Sequence, residues 1–245
     1  MTSPWGAPVL YLERTVSTME DALRLREQGY PSGTVVAAGF QERGRRRFPE
    51  RVWDAEPGRN LLFTLQLDLP PGLPVQCLPV LAGLALSLTV EERFGLATRV
   101  KWPNDLLHDG RKLAGVLCEA HSRPPGPLFV LVGVGLNCNQ RSFPWAGRAC
   151  SLAGLLGREV ELPALLEAVL GTLAAVLRDP AWQPKLESRL YGVGRAAFVR
   201  PVGEGEVLRG VVQGVAGDGA LLLRVDGSPR AVYSGELSVQ LEAEE

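Results

Sequence analysis

The feature that most constrains the fold is a hairpin signal in residues 101–119. The segment reads Lys-Trp-Pro-Asn-Asp-Leu-Leu-His-Asp-Gly-Arg-Lys-Leu-Ala-Gly-Val-Leu-Cys-Glu, with Asp109-Gly110 between two largely apolar arms. An Asp-Gly pair favours a two-residue type I′ turn, because both central residues of that turn need a positive φ. The segment is therefore predicted to form a β-hairpin in which His108 faces Arg111.

The same pairing brings a carboxylate and an ammonium group to one side of the hairpin. Leu107 would face Lys112 and Asp105 would face Ala114, and the alternation of side chains places all four on one face. Asp105 and Lys112 would then lie on a diagonal, with their backbones roughly 7–8 Å apart. This pair is either a solvated ion pair on a surface hairpin or two charges directed at one small binding site. The spacing alone leaves both interpretations open.

Length and charge exclude several classes of protein. The chain has 245 residues, 46% of them hydrophobic, which suits one large domain with a small appendage. Its 26 Lys and Arg against 27 Asp and Glu give a formal net charge of −1, which argues against nucleic acid as the main partner. The four cysteines lack short paired spacing and there are only two histidines, so we expect reduced thiols, no structural zinc site and a cytoplasmic protein. We find no signal peptide and no apolar run of about 18 residues, so no membrane span is expected.

The hairpin segment also carries a motif. Lys-Trp-Pro-Asn-Asp, followed after six residues by Lys112 and then by Gly115 and Glu119, resembles the central motif of the biotin protein ligases. The resemblance implies that Lys112 contacts both the carboxylate of biotin and the α-phosphate of ATP. It also implies that Asn104 and Asp105 bind ATP or its Mg²⁺, with Asp105 as the metal ligand, and that the Gly115 backbone holds biotin.

A helix is predicted to begin at Ser17-Thr18 and to stop before Gly29. Ser17 with Glu20, or Thr18 with Asp21, fits a capping box, so plain capping explains these residues locally. A helix N-terminus also offers free N–H groups to a ligand. In the biotin protein ligases a Ser-Thr pair at this place contacts biotin, so the resemblance makes Ser17 and Thr18 candidate biotin-binding residues.

Residues 41–53 form a basic segment with five arginines and two glutamates. A solvated basic loop is the plain interpretation, but arginines around a glycine can also wrap an anion. The segment resembles the glycine–arginine loop that closes over biotin and the adenylate in the biotin protein ligases. Arg46 departs from the family, which has a second glycine there, and the segment before Trp53 is one residue longer. The matching residues are Gln41, Gly44, Arg45 and Arg47, predicted to bind biotin, with Arg45 and Trp53 predicted to contact the adenylate.

Residues 128–137 are predicted to form a central strand. Gly133 and Gly135 leave one face of this strand bare, either for close packing or for a ligand. The run resembles the Gly-x-Gly-x-Asn strand of the biotin protein ligases. That resemblance implies that the Gly133 backbone holds biotin and that Asn137 binds the adenylate.

The chain changes character after residue 192, where short apolar runs are separated by glycine pairs. This pattern predicts five short antiparallel strands, and it resembles the C-terminal SH3-like domain of bacterial biotin ligases. We therefore predict an α+β protein. Residues 1–192 would form a catalytic domain with a mixed, mostly antiparallel sheet and helices packed on it, and residues 193–245 a small SH3-like β-barrel. No DNA-binding helix-turn-helix domain, as found in family members that repress transcription, is expected before the catalytic domain.

The resemblance implies a reaction in two steps. The carboxylate of biotin attacks the α-phosphate of ATP to give biotinyl-5′-AMP, and a lysine of a biotin carboxyl carrier protein then attacks the mixed anhydride. Both reactants of the first step are anions, and two like charges about 4 Å apart repel by roughly 4 kcal/mol at an effective dielectric of 20. The site therefore needs cations, and we assign catalysis to Lys112, Arg45 and Arg47 with Mg²⁺.

Two other functions fit the same residues. A lipoate or octanoate ligase would share the catalytic fold, and a non-catalytic adenylate-binding regulatory homologue would be consistent with the departure at Arg46. An open sheet edge could also pair two copies of the chain into a homodimer.

Overall fold

A computed structural model describes residues 1–44, 53, 55–122, 128–144, 147–201 and 205–240. These residues form two sheets, of seven and five strands. The strands of the larger sheet are β1 (Val9–Leu12), β2 (Val35–Ala38), β3 (Leu61–Asp68), β4 (Arg99–Lys101), β5 (Asp105–His108), β6 (Arg111–His121) and β7 (Phe129–Leu136). Their order across the sheet is β1-β2-β3-β7-β6-β5-β4. Only β1 and β2 run parallel among these neighbours, so the prediction of a mixed, mostly antiparallel sheet is confirmed.

The helices cover the two faces of this sheet unequally. They are α1 (Thr18–Glu27), α2 (Leu78–Phe94), α3 (Leu152–Leu156), α4 (Leu162–Arg178) and α5 (Trp182–Glu187). We call the face against α2 the back face and the face against α1 the front face. By length and composition alone, residues 75–94 could cross a bilayer, but most of this stretch is buried in the protein core, as is typical of a core helix.

Strand alternation separates the main core from the front face. In β3, Phe63 and Leu65 are buried in the main core, which also contains the apolar residues of α2 and α4. Thr64 lies between them and therefore points to the opposite face. In β7 the same alternation places Val134 in the core and Gly133 and Gly135 on the front face. The front face is thus bare backbone at two positions near the middle of the sheet.

The second sheet contains the five strands predicted after residue 192. They are β8 (Ala196–Arg200), β9 (Leu208–Val215), β10 (Leu221–Val225), β11 (Ser228–Val232) and β12 (Glu236–Val239), in the order β11-β10-β9-β8-β12. All neighbours run antiparallel, which confirms the predicted small β domain. Leu221 and Leu237 belong to the same hydrophobic cluster as the larger sheet and α2. Packing is continuous between the two sheets, and the boundary between residues 192 and 193 stays a prediction.

The four cysteines are free thiols, and three of them are buried. Burial raises the pKa of Cys138 to about 12 and, with a smaller contribution from Asp218, that of Cys77 to about 11. Because the thiolate is the reactive form, we expect the native protein at about pH 8 to react very slowly with a disulfide reagent such as DTNB. Unfolding in guanidinium should expose all four thiols. The absorbance of the thionitrobenzoate anion that DTNB releases measures how many have reacted. Rapid reaction of two or more thiols in the native protein would contradict this assignment.

Candidate active site

The Asp-Gly turn has the predicted geometry. Asp109 has a φ of +48° and Gly110 a φ of +72°, as a type I′ turn requires. His108 faces Arg111 across the turn, as predicted. The local requirement for two positive φ angles therefore fixes the tip of the hairpin.

The predicted register fails between Leu107 and Leu106 of β5. Leu107 faces Lys112 as predicted, but Asp105 faces Gly115 and not Ala114, so that prediction is wrong. The register shifts because Leu113 is an extra residue in β6, a β-bulge. Leu113 and Ala114 both enter the main core, and Gly115 is thereby turned to the same face as Asp105 and Lys112.

The predicted meeting of Asp105 and Lys112 is confirmed despite the bulge. Lys112 Nζ lies 2.7 Å from Asp105 Oδ1, and the Lys112 side chain is 37% exposed against 20% for Asp105. The ammonium group is therefore oriented by a carboxylate and still open to a ligand on its other side. A freely solvated surface pair would not have one carboxylate oxygen buried, as Asp105 Oδ1 is.

Two glycines form a floor beside Lys112, and Trp53 lies on it. Gly115 and Gly135 are paired across β6 and β7. A Cβ on Gly135 would lie 2.6 Å from Trp53 Cζ2, and one on Gly115 would lie 3.1 Å from Trp53 Cζ3. Lys112 Nζ is 5.5 Å from the centroid of the Trp53 ring, within cation–π range. A flat aromatic group can approach the sheet here only because both positions lack a side chain.

The start of α1 is tied to the sheet by a hydrogen-bond network that includes a residue not predicted from the sequence. The Thr18 backbone N–H and its hydroxyl donate to Gln41 Oε1 at 2.8 and 2.9 Å. Thr18 Oγ1 is also 2.8 Å from Thr64 Oγ1, so the Thr64 hydroxyl must be the donor in that bond. Thr64 pairs with Gly133 in the sheet, and Met19 Sδ lies 3.0 Å from where a Gly133 Cβ would be. The only sequence signal for Thr64 is a hydroxyl residue within the mostly apolar run of residues 61–67.

Ser17 does not cap α1, so the capping-box prediction is wrong for this residue. It occupies the N-cap position with extended backbone but accepts no cap hydrogen bond through its side chain. The carboxylate of Asp21 instead accepts from the Thr15 hydroxyl and pairs with Arg24. Ser17 is fully buried, and its Oγ has no hydrogen-bond partner within the described ranges. A buried hydroxyl without a partner costs free energy, so it is available to a ligand.

Both predicted asparagines contact backbone near the bulge. Asn104 Nδ2 donates to the Val116 carbonyl at 3.0 Å, and the Asn104 carbonyl accepts from the Val116 N–H at 2.8 Å. Asn137 Nδ2 donates to the carbonyls of Cys150 at 3.1 Å and Lys112 at 3.4 Å. These bonds hold the backbone on either side of Lys112 and Gly115. Contact of Asn104 and Asn137 with ATP stays a prediction.

The basic loop is described at its start and at Trp53. Arg45, Arg46 and Arg47 lie outside the described residues. Gly44 is described and lies next to Gln41, because a Cβ on Gly44 would be 3.2 Å from Gln41 Nε2. The structure therefore brings the loop's entrance to the Thr18 network and its Trp53 to the glycine floor.

The comparison with known proteins agrees with this arrangement. A family profile described as "Biotin/lipoate A/B protein ligase family" matches residues 11–137, more than half of the chain. The chain belongs to this family. A second profile, described as "Biotin protein ligase C terminal domain", matches residues 199–239 within the smaller sheet.

Three relatives are similar to this chain over more than nine-tenths of its length. The bifunctional ligase/repressor BirA of Bacillus subtilis is 29% identical over 249 residues, covering 97% of this chain and 76% of that protein. The biotin–[acetyl-CoA-carboxylase] ligase of Paracoccus denitrificans is 31% identical, covering 92% of this chain and 98% of that one. A biotin protein ligase from Aquifex aeolicus, solved in complex with biotin and ATP, superposes with a TM-score of 0.80 at 29% identity, covering 95% and 98% of the two chains.

Proposed function

We propose that this chain is an ATP-dependent biotin protein ligase that forms biotinyl-5′-AMP and transfers biotin to a lysine of a biotin carboxyl carrier protein. One observation carries the proposal: Lys112, oriented by Asp105, lies beside the glycine floor formed by Gly115 and Gly135. An oriented cation next to bare backbone is what an anionic, flat substrate needs. The similar ligases, one of them solved with biotin and ATP, support biotin as that substrate.

In the first step a carboxylate oxygen of biotin bonds to the α-phosphorus of ATP while the bond to the bridging oxygen of pyrophosphate breaks. Lys112 Nζ faces the charge that passes between the two anions, and Asp105 holds the ammonium group in place. No protein nucleophile is required, because the substrate carboxylate attacks. Arg45 and Arg47 would add positive charge from the basic loop, and this role is part of the proposal.

Mg²⁺ would accompany ATP. The described part of the chain contains no cluster of three or more His, Cys, Asp or Glu side chains. Mg²⁺ is commonly held by one or two carboxylates together with substrate phosphates, so Asp105 fits as the single protein ligand. The ion would neutralise phosphate charge, while Lys112 acts on the carboxylate side of the reaction.

Biotin would lie between α1 and the glycine floor. We assign the start of α1 to the biotin end, through Ser17 and Thr18, and Gln41 and Gly44 to the loop side. The backbone of Gly115 in the floor and that of the neighbouring Gly133 would hold biotin. Trp53 is half-buried, so part of its indole is exposed for stacking on adenine. In this arrangement the carboxylate of biotin would point toward Lys112.

The proposal has further parts that concern partners. In the second step the ε-amine of the carrier lysine attacks the acyl carbon of biotinyl-AMP, and AMP leaves. The edge strands of the larger sheet are β1 and β4, and a homodimer through an open edge stays a prediction. The absence of a nucleic-acid partner and a cytoplasmic location stay predictions as well.

Pyrophosphate release from ATP and Mg²⁺ without acceptor protein tests the first step. Release that depends on biotin, and not on lipoate or octanoate, is the expected result. Release with lipoate or octanoate instead would identify a lipoyl-type ligase of the same fold. No release with any of the three acids would favour a non-catalytic adenylate-binding protein.

Ser17 provides a residue-level test of the biotin site. Because its Oγ makes no hydrogen bond to any described residue, Ser17→Ala should leave the free energy of unfolding within about 0.5 kcal/mol of wild type. Losing a hydrogen bond to the ligand should weaken biotin binding by roughly two- to tenfold, as measured by calorimetry.

Ser151→Ala is the matched control, because Ser151 is also a buried N-cap. Its Oγ donates to the Gln140 carbonyl at 2.7 Å and accepts from the Gly154 N–H at 3.2 Å. This variant should lose about 1 kcal/mol of stability and keep its biotin affinity. Unchanged biotin binding in Ser17→Ala would remove Ser17 from the site.

A further inference from the structure

The turn between β9 and β10 contacts Trp102, which lies between β4 and β5, and the chain just before α2. The Gly219 carbonyl accepts a hydrogen bond from Trp102 Nε1 at 3.1 Å. The Gly217 carbonyl accepts from the Cys77 thiol at 3.3 Å. Gly219 has a φ of +87°, and a Cβ on it would lie 2.7 Å from the backbone carbon of Gln76. The turn therefore touches the main chain before α2 so closely that only glycine fits.

The turn is held in one conformation by its own hydrogen bonds. The Gly219 N–H donates to the Ala216 carbonyl at 2.9 Å, and the Ala216 N–H donates to the Ala220 carbonyl at 2.8 Å. Asp218 accepts from the Ala220 N–H at 3.1 Å and from the Tyr233 hydroxyl at 2.9 Å. These bonds consequently fix the position of the Gly219 carbonyl, which accepts the hydrogen bond from Trp102.

Trp102 connects this fixed point to the active site. It is one of the largest fully buried side chains, and it lies three residues before Asp105. Between them, Asn104 forms two hydrogen bonds with the Val116 backbone. Its side-chain Nδ2 donates to the Val116 carbonyl, and its backbone carbonyl accepts from the Val116 N–H. Asp105 in turn holds Lys112 Nζ. The Gly219 carbonyl is therefore connected to the ammonium group of Lys112 through Trp102, the backbone of residues 102–105 and Asp105.

We propose that Trp102 is a positioning residue for adenylate formation: the Gly219 carbonyl fixes its indole N–H, and Trp102 thereby sets the position of Asp105 and of Lys112 Nζ. The smaller sheet acts on the first chemical step through this one bond. The proposal rests on the function proposed above. A buried bond of this kind excludes alternative positions of the segment, because breaking it leaves a carbonyl unpaired in the core.

The test compares two variants. Each removes one hydrogen bond between a residue before position 193 and the β9–β10 region of the smaller sheet. Trp102→Phe keeps an aromatic ring but lacks the N–H. Gln183→Ala is the control, because Gln183 Nε2 donates to the Val215 carbonyl at 3.2 Å, a hydrogen bond that involves neither Trp102 nor Gly219. Both variants are assayed for biotin-dependent pyrophosphate release, with kcat and KM determined separately.

A displaced catalytic group should lower the rate of the chemical step without weakening substrate binding. Trp102→Phe should therefore lower kcat by about ten- to a hundredfold and leave the KM for biotin unchanged, while Gln183→Ala keeps the wild-type kcat. An unchanged kcat in Trp102→Phe would overturn the proposal. An equal loss of kcat in both variants would also overturn it, since docking of the smaller sheet as a whole would then be responsible.

Tyr233→Phe keeps the proposal testable if Trp102→Phe does not fold. Tyr233 is 58% exposed, so losing its hydroxyl loosens Asp218 and the turn without disturbing the core. It should lower kcat by about threefold at constant KM, and an unchanged kcat would then decide against the proposal. A wild-type protein that releases no pyrophosphate would instead overturn the proposed function itself, which separates the two failures.

Discussion

Lys112→Ala should abolish adenylate formation while the fold survives. Two anions brought to about 4 Å repel by roughly 4 kcal/mol at an effective dielectric of 20, and an uncompensated term of this size slows the step by about a thousandfold. The lysine side chain is 37% exposed and its partner Asp105 is partly exposed, so losing the pair should cost about 1 kcal/mol of stability or less. Single-turnover pyrophosphate release and a thermal melt measure the two effects separately.

Lys185→Ala is the control for this prediction. Lys185 also forms an ion pair, with Nζ 2.6 Å from Asp179 Oδ2, but it lies on the surface of α5. It should retain wild-type pyrophosphate release and nearly wild-type stability. If Lys112→Ala keeps a rate within about tenfold of wild type, the charge at Lys112 is not what drives the step.

Gly135→Val should strongly weaken biotin binding, because it fills the floor on which Trp53 now lies. The first added carbon would already be 2.6 Å from Trp53 Cζ2, so the indole must leave and the branched side chain takes its place. Overpacking of this kind costs about 1–3 kcal/mol, which corresponds to roughly five- to 150-fold in the dissociation constant. Isothermal titration with biotin measures the change, and Gly135→Ala should give an intermediate value.

Gly171→Ala separates loss of the floor from a general effect of replacing glycine. Nothing lies within 4 Å of the position that its Cβ would occupy in α4. Alanine there should stabilise the helix by about 0.5–1 kcal/mol and leave biotin binding unchanged. Biotin affinity in Gly135→Val equal to that of Gly171→Ala would mean that the ligand does not approach the sheet at Gly135.

Features set by neighbouring residues could be predicted from the sequence. The type I′ turn follows from Asp109-Gly110, and the ends of α1 and α2 follow from the glycines after them. The five later strands also follow from apolar runs and turn residues, whereas the mixed sheet is expected from the resemblance to the biotin protein ligases. The bulge at Leu113 does not, because it depends on both Leu113 and Ala114 entering the core.

Features set by distant residues could not be predicted in the same way. The pattern of Ser17 and Glu20 satisfies the capping box, but the cap hydrogen bond is not formed, and Ser17 Oγ has no partner in the part of the chain that the structure describes. The bond between Trp102 and Gly219 joins residues 117 apart in sequence. Thr64 joins the Thr18 network only because α1 folds back over β3. None of these contacts can be predicted from the spacing of residues in the sequence.

Far fewer buried apolar residues lie between α1 and the front face of the larger sheet than lie in the main core behind it. The buried apolar residues under α1 form a separate small cluster, whose members are Met19, Ala22, Val36, Phe129 and Leu131. Elements that bury little apolar surface open at lower free energy than the rest of a protein, so α1 is expected to exchange its amide hydrogens before β7 does. The biotin proposed to bind at Ser17 and Thr18 would bind only the form in which α1 is packed on the sheet, so the population of that form would scale its apparent affinity. Side chains on the underside of α1 would thus influence how tightly the ligand binds, through the stability of the packed helix.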